Sequence, residues 1–281
     1  IGSVGRHLHT GDGPGGENYN RFAGDLLDGR LDRLNPSFGS ISLGETGASS
    51  SFHGGTIQVS RRYSQGFAFQ AAFTFGKALE TPGAAMEVTR RDLDRSVTGF
   101  HRGKKFSLNL IWEIPFWRER PVLRHIIGGW QLNAITQIQS GAPFSVFHGA
   151  PYPRGDFNAD GQTGDRPNTP SWGNTKRDLS RSDFLRGIFT AADFPLPAPG
   201  TLGNLGRNTF RGPWYASTDI SLFKNFRVTE TATVQFRAEF FNAFNRVNLG
   251  TPVADLNSPL FGRSTSAGDP RDIQLALKVL F

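Results

Sequence analysis

Apolar residues recur at every second position in several long stretches of the chain. In FAFQAAFTF, Phe67, Phe69, Ala71, Phe73 and Phe75 share one parity, and Ala68, Gln70, Ala72 and Thr74 the other. KKFSLNLIWEI sets Phe106, Leu108, Leu110, Trp112 and Ile114 against Ser107, Asn109 and Glu113. WQLNAITQIQS, YASTDISLFK and ATVQFRAEFF follow the same rule, with TIQVSRRY a weaker member. The chain ends on DIQLALKVLF, where Ile273, Leu275, Leu277, Val279 and Phe281 fall on one parity. Period two predicts β-strands, at about 56–63, 67–76, 104–114, 130–140, 214–224 and 231–241 and at the C-terminus. IGSVGRHL reads as the tail of an eighth.

The connections between these strands alternate in length. SQG is a tight turn, 77–103 is long, FWRERPVLRHIIGG is medium, 141–213 is the longest, NFRVTET is short and 242–270 is long again. Residues 9–52 form a further long loop before the second strand. Outer-membrane barrels pair short periplasmic turns with long external loops in this way. Strands of roughly nine to eleven residues also match a tilted bilayer crossing, where soluble sheets average about five or six. The expected fold is all-β, an antiparallel transmembrane β-barrel wall with apolar residues toward lipid and polar residues toward the lumen. That orientation puts Phe281 at the periplasmic rim. Two alternatives share the periodicity: a small free-standing outer-membrane barrel with a structural or adhesive role, and a soluble antiparallel sandwich binding glycans through Trp and Tyr. Trp112–Phe116–Trp117, Trp214–Tyr215 and Phe240–Phe241 fall near strand ends, which suits interfacial girdles.

Composition sharpens this picture in three ways. Twenty-five Phe and 34 Gly against a single Met favour strands and turns over helices. The absence of Cys excludes disulfides, thiolate metal sites and cysteine nucleophiles. The formal charge of +7 is dispersed among loops and strand ends, which implies a solvated basic surface and no nucleic-acid partner. No apolar run reaches the ~18 residues of a membrane-spanning helix. The first residues, IGSVGRHLHT, lack an initiator Met and an apolar leader, as expected of a processed chain or a fragment.

Candidate chemistry is sparse. Asp156, Asn158, Asp160 and Gly161 in DFNADG supply the first half of a calcium loop, in which alternate oxygen ligands converge on a hard cation. Pro167 occupies the position of the bidentate Glu, and Asp165 is the substitute ligand. An Asx-rich turn explains the same residues without metal. Ser221 and Lys224 spell S-x-x-K, but on a strand residues three apart point to opposite faces. The Gly clusters GDGPGG and GNLGRN lack the G-K-[ST] of a phosphate loop, and His7 and His9 lack a third ligand. No nucleophile–base or acid pair emerges, and no enzyme is expected.

The run GNLGRNTFRGPWYASTDISLFKNFRVTETATVQFRAEFFNAFNRVNLGTP, with FGRSTSAGDPRDIQLALKVLF, resembles the C-terminal barrel of TonB-dependent receptors. GDLLDGRLDRLNPSFGSI, FHGGTIQVSRRYSQGFAFQAAFTFGKAL, IIGGWQLNAITQIQSGAPFSV and DFNADGQTGDRPN extend the likeness over essentially the whole chain. It is most similar to the Oar-like subgroup with an N-terminal carboxypeptidase-regulatory-like domain. The resemblance implies a plugged barrel of 22 strands in the outer membrane, of which this chain is about the last eight. Plug, TonB box and regulatory-like domain are absent from it. It further implies ligand contacts in loops 9–52, 77–103, 141–213 and 242–270. The implied partners are a TonB-type energy-transducing complex, outer-membrane lipid with lipopolysaccharide, and the barrel-assembly machinery. Leu275, Leu277, Val279 and Phe281 resemble the signal that this machinery reads.

Overall fold

The computed structural model describes residues 2–8 by their backbone, and 35, 37–38, 47–82, 86–87, 90–115, 128–158, 163–171 and 179–281. Its strands in chain order are β1 Gly2–Leu8, β2 Ala48–Ser64, β3 Phe67–Thr81, β4 Ser96–Val97, β5 Lys104–Glu113 and β6 Trp130–Gln139. They continue with β7 Pro143–Phe144, β8 Phe210–Arg211, β9 Tyr215–Arg227, β10 Thr233–Phe241 and β11 Asp272–Leu280. Eight of them form one antiparallel meander, β1-β2-β3-β5-β6-β9-β10-β11, with β4 paired to the loop end of β3. β7 and β8 make a separate two-stranded ladder. No second large sheet faces the first among the described residues, so the sandwich alternative fails. No described helix is long and apolar enough to cross a membrane, a test that leaves crossing by strands untouched.

Register turns the alternation of separate strands into two continuous faces, because directly paired residues point the same way. One row runs Phe69–Leu110–Ala134–Ile220–Phe240–Ile273 across six strands. The adjacent row on the opposite face runs Ala68–Ile111–Asn133–Ser221–Glu239–Gln274. The apolar face is not covered by other elements: Ile57 is 63% exposed and Leu277 72%. In water such a surface would drive aggregation; against lipid it is the solvated surface. An arginine at Ile220, near the middle of β9 on this face, is expected to cost about 2–4 kcal/mol. The neighbouring Ser221→Arg, on the polar face, should be tolerated. Heat-modifiable mobility of the two variants in gels checks the contrast.

Two strands are longer than their alternation announces. β2 has 17 residues and β3 has 15, against roughly nine to eleven for a crossing, so the hairpin projects beyond the bilayer at its loop end. The predicted loops 9–52 and 77–103 are corrected accordingly: 48–52 and 77–81 are strand. The polar, glycine-bearing ASSSFHGG does not read as strand. Its pairing is secured by Phe52, whose ring lies 2.7 Å from where a Cβ on Gly54 would sit and 3.0 Å from one on Gly76, the cross-strand partner. An aromatic thus covers the facing glycines and restores the buried area that they lack. At the other end the hairpin closes through Gln65 and Gly66, both at positive φ, the geometry of a two-residue turn that matches strand twist. β9 also runs on to Arg227, beyond the predicted 224, because Asn225, Phe226 and Arg227 find partners in Gln235, Val234 and Thr233.

Candidate functional site: the loop cap above a polar wall

The main apolar core lies outside the sheet. It is built from two long connections, 140–214 and 242–271, which fold on each other. Phe144 and Phe210 reach it from β7 and β8, Leu205 from the approach to β8, and Leu256 and Phe261 from the second connection. A short helix α1, Arg181–Arg186, delivers Phe184; Ser180 and Asp183 close its start in a reciprocal capping box. Phe194 sits at the centre, 2% exposed, edge-on to Phe189, Phe210 and Phe261 with centroids 5.4, 5.8 and 5.6 Å away. Such edge-to-face contacts add to the burial of each ring. Gly262 permits the close approach of the two connections: at φ 79° its Cβ would lie 2.6 Å from the Phe189 carbonyl oxygen.

Polar links then join the loops to one another. Phe147 donates to the Ala254 carbonyl at 3.1 Å and accepts from Leu256 at 2.8 Å, while the Asp255 carboxylate takes the Gly149 N–H at 2.8 Å. Arg166 crosses to the connection between β3 and β5. Its guanidinium meets Asp94 at 2.5 Å and donates to the carbonyls of Leu93 and Leu205. Both members of this ion pair are buried, at 8% and 2% exposure, and Asp94 also accepts the Met86 N–H at 2.8 Å. Arg207 adds contacts to Glu80 at 2.8 Å and Ser96 at 3.0 Å, and Asn208 donates to the Val97 carbonyl at 2.7 Å. Three connections therefore form one ordered cap.

Below the cap the sheet presents its polar face. Gln131–Asn133, Gln137–Gln139 and Asn225–Gln235–Arg237 are hydrogen-bonded side-chain ladders along it. Arg237 also stacks over Phe223 at 5.0 Å. A cavity of about 350 Å³ opens toward the turn end, where Ser60, Arg62, Gln70 and Asn109 line it. A wall with a hydrocarbon-compatible face, a hydrogen-bonding face and a cap at one end separates lipid from a hydrated lumen. Comparison with family models gives a match to the outer membrane beta barrel domain over residues 1–274. The chain belongs to the outer membrane beta barrel domain family. It is a protein of the outer membrane of a Gram-negative-type bacterium. Comparison with curated proteins and with solved structures finds no match.

Within this barrel wall the residues singled out by sequence take definite places. Leu275, Leu277 and Val279 pair with Ala238, Phe236 and Val234 and so lie on the lipid-facing side of β11, and Phe281 follows the strand fully exposed. Asp156, Asn158 and Asp165 are buried in the cap. Asp165 accepts the Phe157 N–H at 2.7 Å, and Asn158 donates to the Met86 carbonyl at 2.9 Å. Asp165 thus ties the Asx-rich turn together, and Asn158 ties it to the connection between β3 and β5. Asp160 lies outside the described residues, as do Phe116, Trp117 and most of the medium turn. No group of three or more acidic or histidine side chains gathers among the described residues. Ser221 and Lys224 fall on opposite faces, as the strand geometry requires.

Lys224 carries a feature that the alternation did not announce. It interrupts the apolar parity near the turn end of β9, yet it is 3% exposed. Its ammonium lies over the rings of Trp130 at 5.4 Å and Phe226 at 5.0 Å, and Phe236 stands edge-on to Trp130. This is an interfacial anchor, with an apolar stem in the belt and the charge held by aromatic faces. The sequence signal was there: a lysine in lipid parity one residue from a strand-end aromatic.

Two histidines make the cap sensitive to acid. Burial holds His101 below the ordinary imidazole range, helped by the charges of Arg211, Lys77 and Arg102. Burial also lowers His148, with Asp255 opposing. Each Nδ1 accepts a backbone N–H, from Ala78 at 3.4 Å and Ala150 at 3.3 Å, which a protonated ring cannot do. The unfolded segments bind protons first as pH falls through about 6.5. Stability is therefore intact above that value, declines toward the depressed native values and then levels off. Protection against amide exchange, relative to the intrinsic rate at each pH, should fall at Ala78 and Ala150 over this window while that of the β9–β10 ladder stays constant.

Proposed function

We propose that the chain is the C-terminal barrel part of an outer-membrane active-transport receptor that takes up its ligand in a TonB-dependent manner. The observation that carries this reading is the ordered cap. A barrel with a purely structural role has no use for three external loops tied together by their own aromatic core and a buried ion pair. A receptor needs a surface whose shape exists before the ligand arrives, because ordering loops on binding weakens affinity. The polar wall beneath supplies hydrogen-bonding groups along the path, and the motifs quoted above supply the likeness to this receptor class. The ends of the meander agree with it as well. β1 and β11 each have one neighbour among the described strands. Unpaired backbone groups are not tolerated in hydrocarbon, so both edges call for further strands of a wider barrel. A free-standing eight-stranded barrel would instead need β1 to pair with β11.

In this reading the ligand meets the long loops and the lumenal face, and the chain catalyses no reaction. An inner-membrane energy-transducing complex acts on a plug outside the wall. β11 is read during assembly through Leu275, Leu277, Val279 and Phe281, by backbone pairing with alternate side chains giving specificity. The test uses the native receptor in planar bilayers together with uptake by intact cells. The expected results are no stable open conductance and uptake that stops when the energy transducer is deleted. A steady ion current, or uptake indifferent to that deletion, overturns the reading.

A further inference from the structure

The lipid-facing side of the wall carries a recess at its loop end. Thr136 and Ile138 of β6 and Ala216 and Thr218 of β9 line it, and register places all four on the apolar face. The two threonine hydroxyls bond each other at 3.1 Å, which leaves the floor without a polar demand. Phe244, 74% exposed, forms one side, and Arg181 and Arg246 complete the rim of a space of about 500 Å³. Gln139 and Tyr215 are the last paired residues of β6 and β9, so the recess straddles the level where the apolar rows end.

The arginines are placed, not incidental. Asn242, at φ 47°, takes the Arg246 N–H and donates to the Arg246 carbonyl, both at 2.9 Å, and its own N–H is held by Asp219 at 2.8 Å. Asn245 accepts the Arg271 N–H at 3.1 Å, which fixes the far side of the same turn. Two carboxylates of these segments are already engaged: Asp183 with Ser180 and Arg186, and Asp219 with Asn242 and Ser217. Among the described residues neither Arg181 nor Arg246 has an ion-pair or side-chain hydrogen-bond partner.

We propose that this recess binds an anionic, phosphorylated lipid of the outer leaflet. The two guanidinium groups take the phosphate oxygens, and one acyl chain lies against Ile138, Ala216 and Phe244. Arginine suits this role because its planar fork matches phosphate geometry and is weakly hydrated. Inorganic phosphate would satisfy the charges but leave Phe244 and the floor in water, so the lipid is the favoured source of the anion. The inference depends on the outer-membrane assignment and on the long loops being external, and is independent of what the receptor transports.

The test extracts the receptor from outer membranes in mild detergent and quantifies retained lipid by native mass spectrometry. The wild type should keep a phosphorylated glycolipid in preference to zwitterionic phospholipid. R181Q/R246Q should lose it by about ten-fold or more, as expected for two charge-assisted bonds. Phe244→Ala should lose it by a smaller factor. Equal retention by wild type and R181Q/R246Q, preference for zwitterionic lipid, or retention of phosphate without a chain each overturns the proposal. Heat-modifiable mobility confirms that the variants are folded. If the double variant does not fold, wild-type receptor in nanodiscs with and without the glycolipid replaces it. Absence of a preference that weakens at high salt then counts against the site.

Discussion

Replacing Arg166 with alanine is expected to loosen the cap by about 3–5 kcal/mol, the cost of leaving a buried charge without its partner. Arg166 joins three things at once: the Asp94 carboxylate at 2.5 Å, the Leu93 carbonyl and the Leu205 carbonyl. Its removal strands Asp94, which is 2% exposed and otherwise accepts the Met86 N–H. The converse change, Asp94→Ala, strands the guanidinium and should cost about as much. Replacing both with apolar residues of similar volume, as in D94L/R166M, should recover most of the loss, since desolvating two charges offsets much of their attraction. Because the barrel ladder is independent of this pair, global unfolding is a poor readout. Limited proteolysis between β3 and β5 and amide exchange at Met86 report the cap directly. Single and double variants that are equally stable would show that the three connections are not held by this pair.

Phe194→Ala is expected to cost a similar amount, about 3–5 kcal/mol, by a different mechanism. The ring is enclosed by three other phenylalanines on separate stretches of chain, so their positions cannot all relax into the vacated volume. Exchange should rise together in the β7–β8 ladder and around Leu256, because one core serves both connections. Phe194→Leu keeps most of the volume and should lose well under half as much. If exchange rises only near residue 194, the two connections are separate units and the cap is not cooperative. In the transport reading both variants should also weaken ligand binding while leaving barrel assembly intact, since the ladder of β9, β10 and β11 contains neither residue.

The wall was legible in the one-dimensional pattern because each strand answers to two solvents. A side-chain period of two against lipid on one side and water on the other writes itself residue by residue, as in Phe106–Trp112 and Val234–Phe240. The tight turn SQG was readable for the same local reason: a glycine supplies part of the backbone geometry that the hairpin needs. Even the anchoring of Lys224 was present as a break in parity, although only the register, which sets it between Trp130 and Phe236, shows what stabilises it.

What the sequence by itself determined, then, was the class of fold and which parity of its strands meets lipid. The cap was decided only in three dimensions. Phe144, Phe194 and Phe261 carry no shared period, and Asp94 and Arg166 are 72 residues apart, so nothing in their local surroundings marks them as partners. Loop residues answer to neighbours distant in the chain, not to a solvent that repeats along it. The same reason hid the outer ends of β2 and β3, where Phe52 covers two glycines that alone would argue against a strand. It also hid the recess, because Arg181 and Arg246 come from different connections and meet only where the tertiary fold ends both strands at one rim.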